Sequence, residues 1–190
     1  FLREMMNVDV PFDIYTHVSG VDLIKDGNGK FFVLEDNLRT PSGVSYMLEN
    51  RSITYRIFPD LLPKNNVRSV KEYPDLLYKN LLALGNRQIS NPTVILLSPG
   101  IYNSAYFEHT TLARLMGIEL VEGRDLIVDN NHVYMKTTKG LKQVDVIYRR
   151  VDDEFIDPLV FRPDSILGVP GIYWAYRKRK VALSNVVGND

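Results

Sequence analysis

The chain has 190 residues, 45% hydrophobic, 11% aromatic and 24% charged, the make-up of one ordinary globular domain or of two small lobes sharing a core. Lys plus Arg and Asp plus Glu both number 23, a balance that gives no support for a nucleic-acid or anionic-membrane surface. With no cysteine, disulfides, thiolate metal sites and a cysteine nucleophile are excluded, and no apolar run approaches the roughly 20 residues that cross a bilayer.

In chain order, YTHVSGVDLI (15–24) and KFFVLEDN (30–37) have strand character, and the intervening KDGNG is a hairpin turn. GVSYMLENRSITYRIF (43–58) carries Val44, Met47, Leu48, Ile53 and Ile57 at helical spacing, and Pro59 and Pro63 end it. SVKEYPDLLYKNLLALG (69–85) is a second helix, with Gly85 as its stop. PTVILLSPG (92–100) is a nearly all-apolar strand of the kind buried on both faces. The helix NSAYFEHTTLARLMG (103–117) and the strand IELVEG (118–123) follow, so a βαβ unit with a parallel sheet is expected. DLIVDNNHVYMKTTKG (125–140) reads as a hairpin turning at Asn130-Asn131, QVDVIYRRV (143–151) as one buried strand, GIYWAYRKRK (171–180) as a helix and VALSNVV (181–187) as a last strand. The fold class is mixed α/β of Rossmann-like type.

The end of the first hairpin carries the chemistry. Alternation puts Phe31, Val33, Glu35 and Asn37 on one face of their strand. If Asp26 to Gly29 form a four-residue turn, Asp22 shares that face. Two carboxylates and an amide oxygen then converge at one strand end, a hard-oxygen set suited to magnesium, which is held by one or two carboxylates together with substrate phosphates. A solvated strand end is the alternative reading of the same spacing.

These residues carry a family resemblance. Gly-x-Asp, a Gly-containing turn, Glu-x-Asn and a Pro/Gly-containing loop resemble the metal-binding end of ATP-grasp ligases, with thirteen residues from Asp22 to Glu35. The blocks VLEDNLRTPSGVSYMLENR, LSPGIYNSAYFEH, LVEGRDL, VDVIYRRVDDEFIDPL and DSILGVPG look like the circularly permuted ATP-grasp family of peptide or amide ligases related to glutathionylspermidine synthetases. The metal motif comes first here and the Rossmann-like unit second, which is the permuted order.

The resemblance implies an ATP-dependent carboxylate–amine ligase working through an acyl phosphate, with Mg2+ and ATP. Asp22, Glu35 and Asn37 would hold the metal. Several ATP-grasp ligases place an Arg two residues before the metal-binding Asp; Gly20 stands there in this chain, and Arg39 is the nearest replacement over the phosphates. Ser42 beside it is a candidate for the nucleotide or the acyl substrate. The implied partners are a small-molecule or peptide carboxylate and an amine, with neither nucleic acid nor membrane.

Other candidates come from the strand ends. In SPGIYNSAYFEH, Ser98, Gly100, Asn103 and Ser104 precede a helix, where an anionic substrate or a plain N-cap would be served equally. Arg149 and Arg150 end another strand; one of them could grip a substrate carboxylate, or both could pair with Asp152 and Asp153. Glu108 and His109 read as packing or surface residues, and YRKRK (176–180) as a solvated helix end. Asp125, Asp164 and Ser165 match family blocks without a role from chemistry alone. His17 and His132 are isolated.

Three segments are expected: 1–58, the metal-binding hairpin and its helix; 59–92, a helical connection; and 93–190, the Rossmann-like unit with the start of the other ATP-grasp half. A chain that opens on Phe1 and stops after VVGND reads as a piece of a longer polypeptide, inactive alone, and a cytoplasmic location is the default. A non-catalytic scaffold and a nucleotide-binding oxidoreductase are the rival classes. The second lacks the later glycines of a dinucleotide fingerprint.

Overall fold

A computed structural model describes residues 2–85 and 88–188. Two strands open the regular structure, β1 (Gly20–Lys25) and β2 (Phe31–Asn37), paired antiparallel. The turn is one residue longer than the spacing suggested. The N–H of Asp26 bonds the Lys30 carbonyl at 3.0 Å, the Asp26 carboxylate caps the N–H groups of Asn28 and Lys30, and Gly29 takes the positive φ that closes it. Lys25, Ile24 and Leu23 therefore face Phe31, Phe32 and Val33. A one-residue register shift follows, leaving Leu34 outside the pairing, and Asp22 comes directly opposite Glu35. Val33, opposite Leu23, thus leaves the face on which the sequence had placed it with Asp22, while Asp22, Glu35 and Asn37 stay together.

Three helices follow, α1 (Val44–Ile57), α2 (Leu61–Lys64) and α3 (Tyr73–Leu84). Only Ser45 of α1 is buried, and Ile53 and Ile57 are exposed; the apolar spacing marks the helix but not a core face. α3 buries Leu77, Leu81 and Leu84 and ends at Gly85.

The parallel sheet has the order β4-β3-β8-β9, built from β3 (Val94–Leu97), β4 (Glu119–Val121), β8 (Val146–Arg149) and β9 (Ala182–Ser184), with α4 (Tyr106–Met116) joining β3 to β4. Alternation sorts its side chains to two cores. Val94, Leu96, Val146 and Tyr148 pack with Leu81 of α3 and Leu112 of α4. Ile95, Leu97, Ile147 and Leu183 pack on the other face with Ile172, Ala175 and Tyr176 of α5 (Ile172–Arg177) and with Val133 and Val144.

The last two belong to a three-stranded antiparallel sheet, β5 (Leu126–Asp129), β6 (His132–Thr137) and β7 (Gly140–Val144), whose first turn is Asn130-Asn131 at positive φ. QVDVIYRRV is therefore not one strand. It leaves the antiparallel sheet at Val144 and enters the parallel sheet at Val146. Between them the Asp145 carboxylate bonds the Thr93 N–H at 2.8 Å and the Gln143 amide at 3.1 Å, fixing the crossing point.

The block DSILGVPG has a steric reason. A Cβ on Gly168 would stand 2.0 Å from the Phe155 carbonyl oxygen and 2.4 Å from that of Ile156, so only glycine lets these backbones meet.

Candidate functional site

The hairpin stands away from both cores, and every residue of β2 is exposed. At its end the Asn37 amide nitrogen lies 3.4 Å from Asp22 Oδ2 and 3.4 Å from Glu35 Oε1. Two carboxylates thus flank one amide at an open strand end. A half-turn of the amide puts Oδ1 between them in place of Nδ2, giving three hard oxygen donors with room for water and a phosphate. That set fits a magnesium-sized cation. Among the described residues no group of three or more His, Asp or Glu side chains converges on one point, so this two-acid, one-amide cluster is read on its register and chemistry.

The loop that leaves β2 is tied down almost residue by residue. The Leu38 carbonyl accepts from the Asn185 amide at 2.6 Å. Thr40 Oγ1 donates to Asp152 at 3.4 Å, and the Pro41 carbonyl accepts from Arg150 Nη1 at 2.6 Å. The N–H groups of Gly43 and Ser45 both donate to Glu108 Oε2, at 2.8 and 2.9 Å. This carboxylate, from the first turn of α4, satisfies donors that the start of α1 leaves open. Arg39 and Ser42 lie between the anchored positions. Gly20 is also explained: a Cβ there would meet the Pro41 Cβ at 3.0 Å, so the loop packs where a side chain would begin.

The loop settles at the ends of β3 and β8. These are the two central strands of the sheet, where a doubly wound fold has its ligand crevice. There the Arg150 N–H bonds the Leu97 carbonyl, and its guanidinium reaches Pro41, the Tyr148 hydroxyl at 3.2 Å and Glu108 at 3.5 Å.

Arg149 is fully buried. Its Nε donates to the Asn185 carbonyl, Nη1 to the Val151 carbonyl and Nη2 to the Val186 carbonyl, and it pairs with Asp153 at 2.5 Å. Burial pulls its pKa down, Asp153 opposes that, and Arg39 adds a smaller repulsion. Both arginines are thus engaged inside the protein and tie loops to the sheet. Asn103 is exposed and its Oδ1 accepts the Ala105 N–H at 2.9 Å, closing a turn ahead of α4, whose N-cap is Ala105 rather than Asn103 or Ser104.

Ser98, fully buried, accepts the Gly100 N–H at 3.1 Å and shares a hydrogen bond with His109 Nδ1 at 2.9 Å. Burial, with Arg150 adding to it, pushes the His109 pKa down to about 4. Asp125 and Glu122 form a capping box, Ser165 bonds the Phe155 carbonyl, and Asp164 pairs with Arg162; all three family-block residues have local structural work. Residues 177–180 are exposed, as a solvated helix end requires.

The sequence reading gave Glu108 a packing or surface role without its partners and did not single out Asn185. A Glu in the first turn of an amphipathic helix looks solvated. Its burial follows from Gly43 and Ser45, some 65 residues earlier, and no local spacing encodes that. Asn185 is 2% exposed, and its amide accepts from the N–H of His17 and Val18 and donates to the carbonyls of Val18 and Leu38. The base of the hairpin is thereby tied to the end of β9.

A family model described as a circularly permuted ATP-grasp matches residues 1–190. The chain is 53% identical over 188 residues to an uncharacterized protein of Synechocystis sp., covering 99% of this chain and 39% of that protein. It is 53% identical over 189 residues to an uncharacterized protein of Mycobacterium tuberculosis, covering 100% of this chain and 34% of the relative. A Frankia casuarinae protein provisionally named a glutamate–cysteine ligase is 38% identical over 181 residues, 94% of this chain and 21% of its own length. The chain therefore spans well under half the length of these relatives.

Proposed function

The chain belongs to the circularly permuted ATP-grasp family, and from that membership we propose that it supplies the metal-binding hairpin and phosphate-facing loop of an ATP-dependent carboxylate–amine ligase. The observation that carries this reading is the pairing of Asp22 with Glu35 beside Asn37, followed at once by a loop anchored at residues 38, 40, 41, 43 and 45.

Asp22, Glu35 and Asn37 would hold the cation. Bound there with ATP, magnesium supplies charge neutralisation along the phosphates. Arg39 directs a fixed guanidinium at charge spread over the transferring phosphoryl oxygens. Ser42, exposed on the same loop, offers a hydroxyl to nucleotide or acyl substrate. The anchored backbone keeps Arg39 and Ser42 in register with the strand end, and positioning of that kind is most of what phosphoryl transfer asks of a protein.

The reaction proposed for the full-length protein begins with attack of a substrate carboxylate oxygen on the γ-phosphorus, with ADP leaving. An amine nitrogen then attacks the acyl carbon, losing a proton as phosphate departs and the amide forms. Arg149, Arg150 and Asn103 are assigned to the frame of the site, since their polar groups are used within it.

The oxidoreductase alternative is disfavoured by the sheet. The loop from Pro41 to Ser45 and the Glu108 carboxylate stand at the helix start where a dinucleotide pyrophosphate would need room and positive potential.

The test is a thermal shift of the full-length protein with ATP and Mg2+, repeated with Glu35→Ala plus Asn37→Ala. A magnesium-dependent rise in Tm that the double variant loses supports the ligase site. A well-folded wild type that does not respond leaves a non-catalytic scaffold as the reading.

A further inference from the structure

Ser45, Leu48, Ser52 and Tyr55 fall on one stripe of α1 and wall a second cavity, of about 430 Å³, within the size range of small-molecule sites. Thr111, Arg114 and Leu115 of α4 form another wall, and the segment from Arg68 to Pro74 closes a third side. Of these residues only Ser45 also anchors the loop that leaves the hairpin, through its backbone N–H.

Two features of the lining set its chemistry. Leu48, Leu62, Pro74 and Leu115 give it an apolar surface, while Arg51, Arg68, Lys71 and Arg114 give it four cations. Against them stands one carboxylate, Glu49, already paired with Arg56 at 3.4 Å. Among the described residues Arg51, Arg68 and Arg114 make no ion pair and no side-chain hydrogen bond. Like charges gathered around an apolar hollow repel one another unless an anion sits among them.

Ser45 closes the inner wall. It is fully buried against this cavity and its backbone N–H is held by Glu108, yet its Oγ has no hydrogen-bond partner. Its Oγ is closed off from the cavity as well as unpaired, so Ser45 shapes the inner wall and gives no hydrogen bond to a guest.

We propose that this cavity binds a small organic anion. Its apolar body would fill the space between Leu62 and Leu115, and its carboxylate or phosphate would be gripped by the Arg51, Arg68, Lys71 and Arg114 cluster. Guanidinium groups suit either head group through paired N–H donors.

The experiment is calorimetric titration of the full-length protein with phenyl phosphate, phenylacetate, inorganic phosphate and neutral benzyl alcohol. The expected result is binding of phenyl phosphate or phenylacetate, the better of the two identifying the head group, at least about tenfold tighter than benzyl alcohol or inorganic phosphate. Arg68→Ala plus Arg114→Ala, both exposed positions, should weaken that binding about tenfold or more without moving the Tm of the unliganded protein. Asp22→Ala plus Glu35→Ala should leave it unchanged. Three results would overturn the proposal: no heat from either organic anion up to millimolar concentration, as when the rest of the chain fills the cavity; equal binding by the Arg68/Arg114 variant; or inorganic phosphate binding as tightly as phenyl phosphate.

Discussion

Glu108, buried in the first turn of α4, accepts the Gly43 N–H at 2.8 Å and thereby holds the loop that leaves the candidate metal hairpin. The same carboxylate takes the Ser45 N–H and faces Arg150. Glu108→Ala would strip two backbone donors of their acceptor and leave a buried guanidinium without its acid. A loss of about 3–5 kcal/mol in chemical denaturation is expected, with Glu108→Gln, which keeps one acceptor oxygen, losing less. An unchanged midpoint for Glu108→Ala would show that the loop is held by other contacts.

Asp22, Glu35 and Asn37 are exposed and outside both cores. Single Ala substitutions there should each shift the unfolding free energy by less than about 0.5 kcal/mol while abolishing magnesium-dependent ATP binding by the full-length protein. Binding read at several Mg2+ concentrations checks this, and a variant that binds ATP·Mg2+ normally would remove that residue from the cation's ligands.

His109 makes stability depend on pH in a definite direction. Its folded pKa, about 4, lies below the ordinary 6.5. Between those values the unfolded chain binds the extra proton and the folded one does not, so stability falls as pH drops from about 6.5 towards 4. In a Tm series over that range, His109→Gln should show a shallower acid slope than the wild type; parallel slopes would refute the assignment.

Asn185 uses both ends of its amide on the base of the hairpin. Asn185→Asp keeps the acceptors for His17 and Val18 but turns a carboxylate oxygen towards the carbonyls of Val18 and Leu38. It should cost about 2–4 kcal/mol and speed hydrogen exchange at the His17 and Val18 amides. Exchange rates equal to wild type would mean that the base is closed by something else.

Much of this molecule is legible in its residue order because the signals are local. KDGNG closes the hairpin, the run from Val94 to Leu97 is buried on both faces, and Gly117 ends α4 with a positive φ. The Glu-x-Asn spacing at Glu35 and Asn37 also needs only strand alternation. What escaped is non-local. The register shift at Leu34 depends on how Asp22 meets Glu35, and the break at Asp145 depends on two sheets competing for one segment. Arg149 and Arg150 look like ligand-seeking cations until the carbonyls of Val151, Asn185, Val186 and Pro41 are brought to them by distant segments.

The Asn185 knot also has a consequence in time. It joins His17 and Val18 to a residue 168 and 167 positions further on, so its closure entropy is met only after the parallel sheet has assembled. On the ribosome the hairpin emerges before its anchor, since Asn185 follows Leu38 by 147 residues. During that interval the base of the ribbon is untethered, while its Leu23, Phe31, Val33 and Leu34 side chains, exposed even in the folded chain, present an apolar edge to other chains.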